Sequence, residues 1–161
     1  MKSIAVVYFS ATGTTARVAK ILAKAANAPI YEILPARPYT HSDLNWNNAA
    51  SRSSTEMKDA AARPAIASPD EDLFRHDTLF LGFPIWWYEA PRIIQTFLES
   101  GNFTGKTIIP FATSGGSGLG DTVSILQQSA PTAHFLSGKR LSAALSLSAA
   151  KQWISSLDAE C

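Results

Sequence analysis

Cysteine is almost missing from this chain: Cys161, the last residue, is the one thiol among 161 residues. No internal disulfide can form, no Cys/His cluster can hold a metal, and cysteine-phosphatase chemistry is excluded by the count. Long apolar runs are missing too, since no segment approaches the ~20 residues that span a bilayer. Lys2 followed by six apolar residues, Ile4 to Phe9, falls short of the ~7–15 residue core of a secretory signal, so it reads as a buried first strand. Charge of one sign is also lacking: 14 basic and 13 acidic residues give a net charge of +1. Spread along the chain, they offer neither a basic stripe for a phosphate backbone nor an acidic tail. Nucleic acid is not expected as a partner, and a soluble, cytoplasmic protein is. What the chain does have is 46% apolar residues with 8 Phe, 4 Trp and 4 Tyr, enough for one core, so residues 1–161 are expected to form a single domain.

Strand-like and helix-like segments alternate. Ile4 to Phe9 is continuous and rich in β-branched residues, as a strand buried on both faces should be, and Val18, Ala19, Leu22, Ala25 and Ala26 follow at helical spacing. A second strand is expected over 30–34, then a polar region, 35–76, with a helix over about 49–62 ended by Arg63-Pro64. The third strand is expected over 77–83. A helix starts at Pro91, a favoured first helical position, and is closed by Gly101. The fourth strand spans 106–112, a short helix spans 121–129 with Asp121 at its entry, a fifth strand lies within 132–142, and a last helix covers about 146–158. Alternation of this kind implies a parallel sheet covered by helices on both faces, with ligands bound beyond the carboxyl ends of the strands.

Three loops stand at those ends. The first, 10-SATGTT-15, carries four hydroxyls and a glycine but no charge, and it leads into a helix N-terminus whose amides and dipole favour an anion. A phosphate monoester fits that cup; Arg17, the nearest cation, is expected to point outward. The second, 84-PIWWYEA-90, presents Trp86, Trp87 and Tyr88 in succession, of which at least one should be free to stack on a flat ligand. The third, 113-TSGGSGLG-120, has so little side-chain bulk that backbone amides can approach the edge of a polar ring. Phosphate at one end and a flat ring at the other describe a nucleotide-like ligand.

Competing motifs fail. In 101-GNFTGKT-107 the glycines are one residue too close for a phosphate-binding loop, and a strand instead of a helix follows Lys106, so the segment reads as a turn. Ser117 lacks the glycine two residues on that a nucleophile elbow requires. A receiver domain would need acids where Ser10 and Pro84 stand, and a dinucleotide loop would need three glycines where only Gly13 occurs. His41, His76 and His134 are scattered and read as surface or core histidines. No side chain is assigned as catalytic acid, base or nucleophile.

The loops 10-SATGTT-15, 83-FPIWWYEAPR-92 and 111-FATSGGSG-118 resemble those of the flavodoxin-like proteins, in particular short, single-domain flavodoxins that bind FMN. The resemblance runs from the first strand to about residue 140. It implies a three-layer αβα sandwich with a five-stranded parallel sheet in the order 2-1-3-4-5. It also implies FMN as cofactor, its phosphate on Ser10, Thr12, Gly13, Thr14 and Thr15. The isoalloxazine would lie among Pro84, Ile85, Trp86, Trp87 and Tyr88, edged by Thr113, Ser114, Gly115, Gly116 and Gly118.

Two departures from the family pattern matter. Electron-carrier flavodoxins are strongly acidic, and this chain is not. The peptide near the reactive ring nitrogen often includes a glycine there, whereas Trp86-Trp87-Tyr88-Glu89 has none, and bulky residues resist positive φ. That stretch is therefore expected to stabilise the one-electron-reduced flavin weakly and to favour two-electron chemistry. Two functions follow: a carrier passing electrons between proteins, and an NAD(P)H-dependent reductase of a small acceptor such as a quinone. In the second, the segment 35–63, with His41, Trp46 and Arg52, is expected to cover the flavin and form a substrate pocket.

Overall fold

A strand without a polar face has to be covered on both sides, and β1 (Ile4–Tyr8) lies inside a sheet, paired in parallel with β2 (Ile30–Glu32) and with β3 (Thr78–Pro84). The sheet continues through β4 (Thr107–Thr113) to β5 (His134–Phe135) and β6 (Lys139–Leu141), all in parallel. In this computed structural model, which describes residues 3–114 and 118–157, the order is 2-1-3-4-5, as expected, with β6 also on β4. Helices α1 (Thr14–Ala26) and α5 (Leu147–Leu157) cover one face, packing Val18, Leu22 and Trp153 with Val6, Phe80 and Phe111. Helices α3 (Arg92–Glu99) and α4 (Thr122–Ser129) cover the other, packing Ile93, Phe97 and Leu126 with Val7, Leu81 and Ile108. Burial of these apolar stripes drives the assembly.

The fifth strand is split, and Pro110 explains why. The amides of His134 and Leu136 donate to the carbonyls of Lys106 and Ile108, so alternate residues of β4, Pro110 included, turn their polar groups toward this edge. Proline has no N–H to donate there, and the ladder breaks opposite it. Between β5 and β6 the chain crosses at Gly138 (φ 75), where a Cβ would stand 2.4 Å from the Pro110 carbonyl oxygen. Only glycine passes.

Other elements are shorter than expected. β2 stops at Glu32 because residues around Pro35 leave to form an antiparallel bridge with Ile66, supported by Ala36 N–H to Ala65 O at 2.9 Å and Ala67 N–H to Leu34 O at 2.8 Å. The helix expected over 49–62 is reduced to α2 (Arg52–Lys58), capped by Ser51, whose hydroxyl accepts from the Ser54 amide. Its end is set by Arg92, which donates to the carbonyls of Glu56 and Met57. Those are the acceptors that the amides of residues 60 and 61 would need to continue the helix. Gly101 does not close α3 in a left-handed conformation; Ser100 is the C-cap, with right-handed backbone. Its lack of a side chain serves packing instead, since a Cβ would meet the Phe74 ring at 2.5 Å.

The charges are not evenly spread once folded. α1, β6 and α5 carry Arg17, Lys20, Lys24, Lys139, Arg140 and Lys151, all exposed and without a single acid in those three elements. Arg17, Lys20 and Lys24, at i, i+3 and i+7, form a stripe along α1. Folding thus gathers cations that the sequence spreads along the chain.

Candidate functional site

The carboxyl ends of β1, β3 and β4 open on one cleft of about 540 Å³. Ala11 and Thr12 line it from the first loop, Pro84 to Tyr88 from the second and Ser114 from the third. A wider hollow of about 720 Å³ lies on α5 around Lys151 and Gln152, but it has no aromatic residue and does not touch the strand ends.

The first loop is folded by its own groups. Ser10 Oγ accepts from the Gly13 amide at 3.1 Å, and Gly13 takes φ 97, which a side chain would resist. No side chain caps the first turn of α1, so its N-terminal amides face the loop with the dipole behind them. Thr12 and Thr14 are exposed there, whereas Thr15 is buried and its hydroxyl pairs with that of Thr113 at 2.8 Å. Those two hydroxyls tie the first loop to the end of β4. Arg17 points outward, as expected, and donates to the Ala143 carbonyl. Neutral donors alone form the cup.

The second loop is a two-residue turn. Trp86 and Glu89 exchange backbone bonds of 2.8 and 3.1 Å, and Trp87 (φ 48) and Tyr88 (φ 67) between them are both left-handed. This is type I′ geometry, which favours Asn-Gly. The expectation that bulky residues here avoid positive φ is thus overturned: closing the turn in two residues demands it, and the strain of about 1–3 kcal/mol per residue is borne locally. Trp86 packs inward, edge-on to Phe9 at 5.9 Å and to Tyr39 at 5.5 Å between centroids. Trp87 and Tyr88 stay out, 43% and 75% exposed, which leaves two flat surfaces for a ligand. The third loop is anchored by Arg140, which donates to the Ser114 carbonyl at 3.3 Å. Gly118 is exposed; Gly115 and Gly116 lie outside the described residues.

Arg92, 4% exposed, braces the turn. Its guanidinium donates to the carbonyls of Met57 at 2.8 Å and Asp59 at 3.2 Å, to Gln95 Oε1 at 3.4 Å and to Glu89 Oε2 at 3.2 Å. One buried cation therefore joins α2, α3 and the base of the strained turn. A second cluster holds α2 against Trp86: Tyr39 donates to Glu56 Oε1 at 2.5 Å, Arg52 donates to Glu56 Oε2 at 2.9 Å and lies 3.8 Å over the Tyr39 ring. Burial, then the bond to Glu56, pushes the Tyr39 phenol above its ordinary value. Arg52 is thus structural, His41 is absent from the cleft wall, and Trp46 lines it with Leu44 and Ser53. Periodicity gave no sign of Ser53 or of the Arg92 brace.

A flavodoxin family model matches residues 3–157. A candidate flavoprotein from Bacteroides uniformis is 51% identical, with 95% of this chain and 97% of that one covered and a TM-score of 0.89. One from Bacteroides eggerthii is 47% identical, covering 97% and 98%, with a TM-score of 0.91. A flavoprotein from Lactobacillus acidophilus, solved in complex with FMN, is 18% identical, covers 88% and 93%, and shares the fold at a TM-score of 0.70. No curated protein matches the chain.

Three outcomes test this architecture. Arg92→Met removes a donor from the Met57 carbonyl and Glu89, and one of two donors from the Glu56 and Asp59 carbonyls, and is expected to lower stability by about 3 kcal/mol, read as a shift in urea midpoint. Trp87→Asn with Tyr88→Gly relieves the turn and is expected to raise stability by about 1–2 kcal/mol, measured the same way; a loss would show that the two rings pack in the folded state. Because the Tyr39 pKa is raised on folding, its contribution is complete below the unfolded value and is lost as pH climbs. Stability should therefore fall above about pH 10, and Tyr39→Phe should flatten that fall in pH-dependent denaturation.

Proposed function

The chain belongs to the flavodoxin family, and on that premise we propose that it is an FMN-binding redox protein that mediates electron transfer. The observation that carries the proposal is the convergence of an anion cup, two exposed aromatic rings and a backbone edge on one cleft. The donor set fits the cofactor. Ser10, Thr12, Gly13, Thr14 and Thr15 would hold the phosphate with hydroxyls and amides; Pro84, Ile85, Trp86, Trp87 and Tyr88 would flank the ring system. Thr113 and Ser114, with Gly115, Gly116 and Gly118, would edge it. FMN, when bound, supplies the acceptance and release of electrons. The residues around it bind, orient and exclude water, and none of them has to act as an acid or base.

Two observations support different partners. The cation layer of α1, β6 and α5 reaches the cleft rim through Arg140, which suits docking of an acidic redox protein and favours a carrier. Extension of the cleft onto Leu44, Trp46 and Ser53 favours the second reading, an NAD(P)H-dependent reductase of a quinone or another small acceptor, with room beside the cofactor. No helix among the described residues is long and apolar enough to cross a membrane, and a cytoplasmic location accords with the near-absence of cysteine.

Titrating the apoprotein with FMN, followed by quenching of flavin fluorescence, should give one site per chain. Riboflavin, which lacks the phosphate, should bind more weakly by at least tenfold, and Thr12→Ala should weaken FMN by about three- to tenfold without altering riboflavin. Equal affinity for the two flavins would remove the phosphate from the first loop.

A further inference from the structure

One side chain in the cleft wall is not explained by folding. Ser53, 2% exposed, contributes to the wall, yet its hydroxyl finds no hydrogen-bond partner. Other serines here show how unusual that is: Ser51 caps α2 and its hydroxyl donates to that of Ser54, so both of those hydroxyls are satisfied. The Ser53 amide is also satisfied, by the Asp43 carbonyl at 2.9 Å. A buried polar group left unpaired destabilises the fold that contains it. Serine in place of alanine there makes sense when a partner arrives later.

The rest of that wall indicates what the partner is. Leu44 and Trp46 supply apolar surface, and Trp46 leaves 70% of itself uncovered. None of the charged side chains of this segment lines the cleft: Asp43 faces Thr40 and Arg52, while Arg52 and Glu56 are paired with each other and with Tyr39. A flat, uncharged molecule with one hydrogen-bond acceptor at its edge matches this surface, since the ring would lie on Trp46 and the acceptor would take the hydroxyl proton. The loops after β1, β3 and β4 already account for a flavin phosphate and ring, whereas this wall comes from the excursion between β2 and β3 and adds a further surface to the same cleft.

We propose that Leu44, Trp46 and Ser53 form an acceptor subsite beside the cofactor, selective for planar aromatic carbonyl compounds of the quinone class, with the Ser53 hydroxyl donating to the carbonyl oxygen. This rests on the FMN reading above and specifies the ligand that shares the cleft. Because water barely reaches the hydroxyl, the wall around it must open for a ligand to touch it. Exposed side chains change rotamer within nanoseconds, and Trp46 is exposed enough to do so. Ser53 thereby selects by polarity and Trp46 by shape.

The test uses FMN-loaded, oxidised protein and the probes 1,4-naphthoquinone and naphthalene, with binding followed by tryptophan fluorescence and by ligand-observed NMR. Ser53→Ala should weaken the quinone about three- to tenfold while leaving naphthalene unchanged; Trp46→Ala should weaken both. The denaturation midpoint of Ser53→Ala should be unchanged or higher, because no native bond is lost. In the Ser53→Ala variant, three results overturn the proposal: unchanged quinone affinity, an equal loss of FMN affinity, or a lowered midpoint, which would make the hydroxyl structural. A wild-type protein that takes up no FMN overturns the cofactor reading and the subsite with it. An FMN-loaded protein that ignores the quinone overturns the subsite alone.

Discussion

A guanidinium shut away from water has to find all of its partners in the protein, and Arg92 finds them on three separate pieces of chain. Its bonds to the carbonyls at the end of α2 fix where that helix stops. Its bond to Glu89 fixes the base of the Trp87-Tyr88 turn, and its own place in α3, whose apolar side is buried against the sheet, fixes both relative to the strands. Desolvating such a cation is costly, so each partner is held strongly once the cation is in place. The excursion between β2 and β3 would otherwise be a polar surface loop. Arg92 makes it a wall.

The strained turn makes sense in that setting. Two bulky residues at positive φ persist only where the surroundings over-determine them. Here the Trp86–Glu89 bonds, the Arg92 brace below and the Thr122 hydroxyl on the Tyr88 carbonyl at 3.4 Å do so. The result is a fixed backbone turn that holds two aromatic side chains out from the surface beside a neutral anion cup. A flexible glycine turn would present nothing so rigid. The Thr15–Thr113 bond performs the matching task on the other side, tying cup to edge. Pre-organisation of this kind lowers the ordering cost of binding a flat, phosphorylated ligand.

Much of this was legible in the chain. Ile4 to Phe9 read as a strand because nothing polar interrupts it, and the three loops read as one site because their strands had to be parallel. The helix expected to begin at Pro91 starts one residue later, at Arg92, with Pro91 as its N-cap, while the turn at Gly105 (φ 74) followed from backbone rules that act locally. What escaped depends on contacts distant in sequence. The end of α2 is set by an arginine 33 to 36 residues away, and the break in the last strand is set by a proline on its neighbour. The left-handed pair at Trp87 and Tyr88 runs against their own propensity, so composition pointed the wrong way. The one-sided cation layer was hidden because α1 and α5 are far apart in the chain and side by side in the fold. Ser53 carries no periodic signal, and its meaning lies in a missing partner.

We propose that FMN sits in one cleft, built from three strand ends and braced by Arg92. Backbone amide NMR of the uniformly labelled apoprotein, recorded as FMN is added, tests it most directly because it reports where the ligand sits. The largest shifts are expected on Thr12 to Thr15, Trp86 to Tyr88 and Ser114, with the α1/α5 face unmoved below its first turn. Shifts centred on the α5 hollow around Lys151, or scattered without saturation, would contradict it.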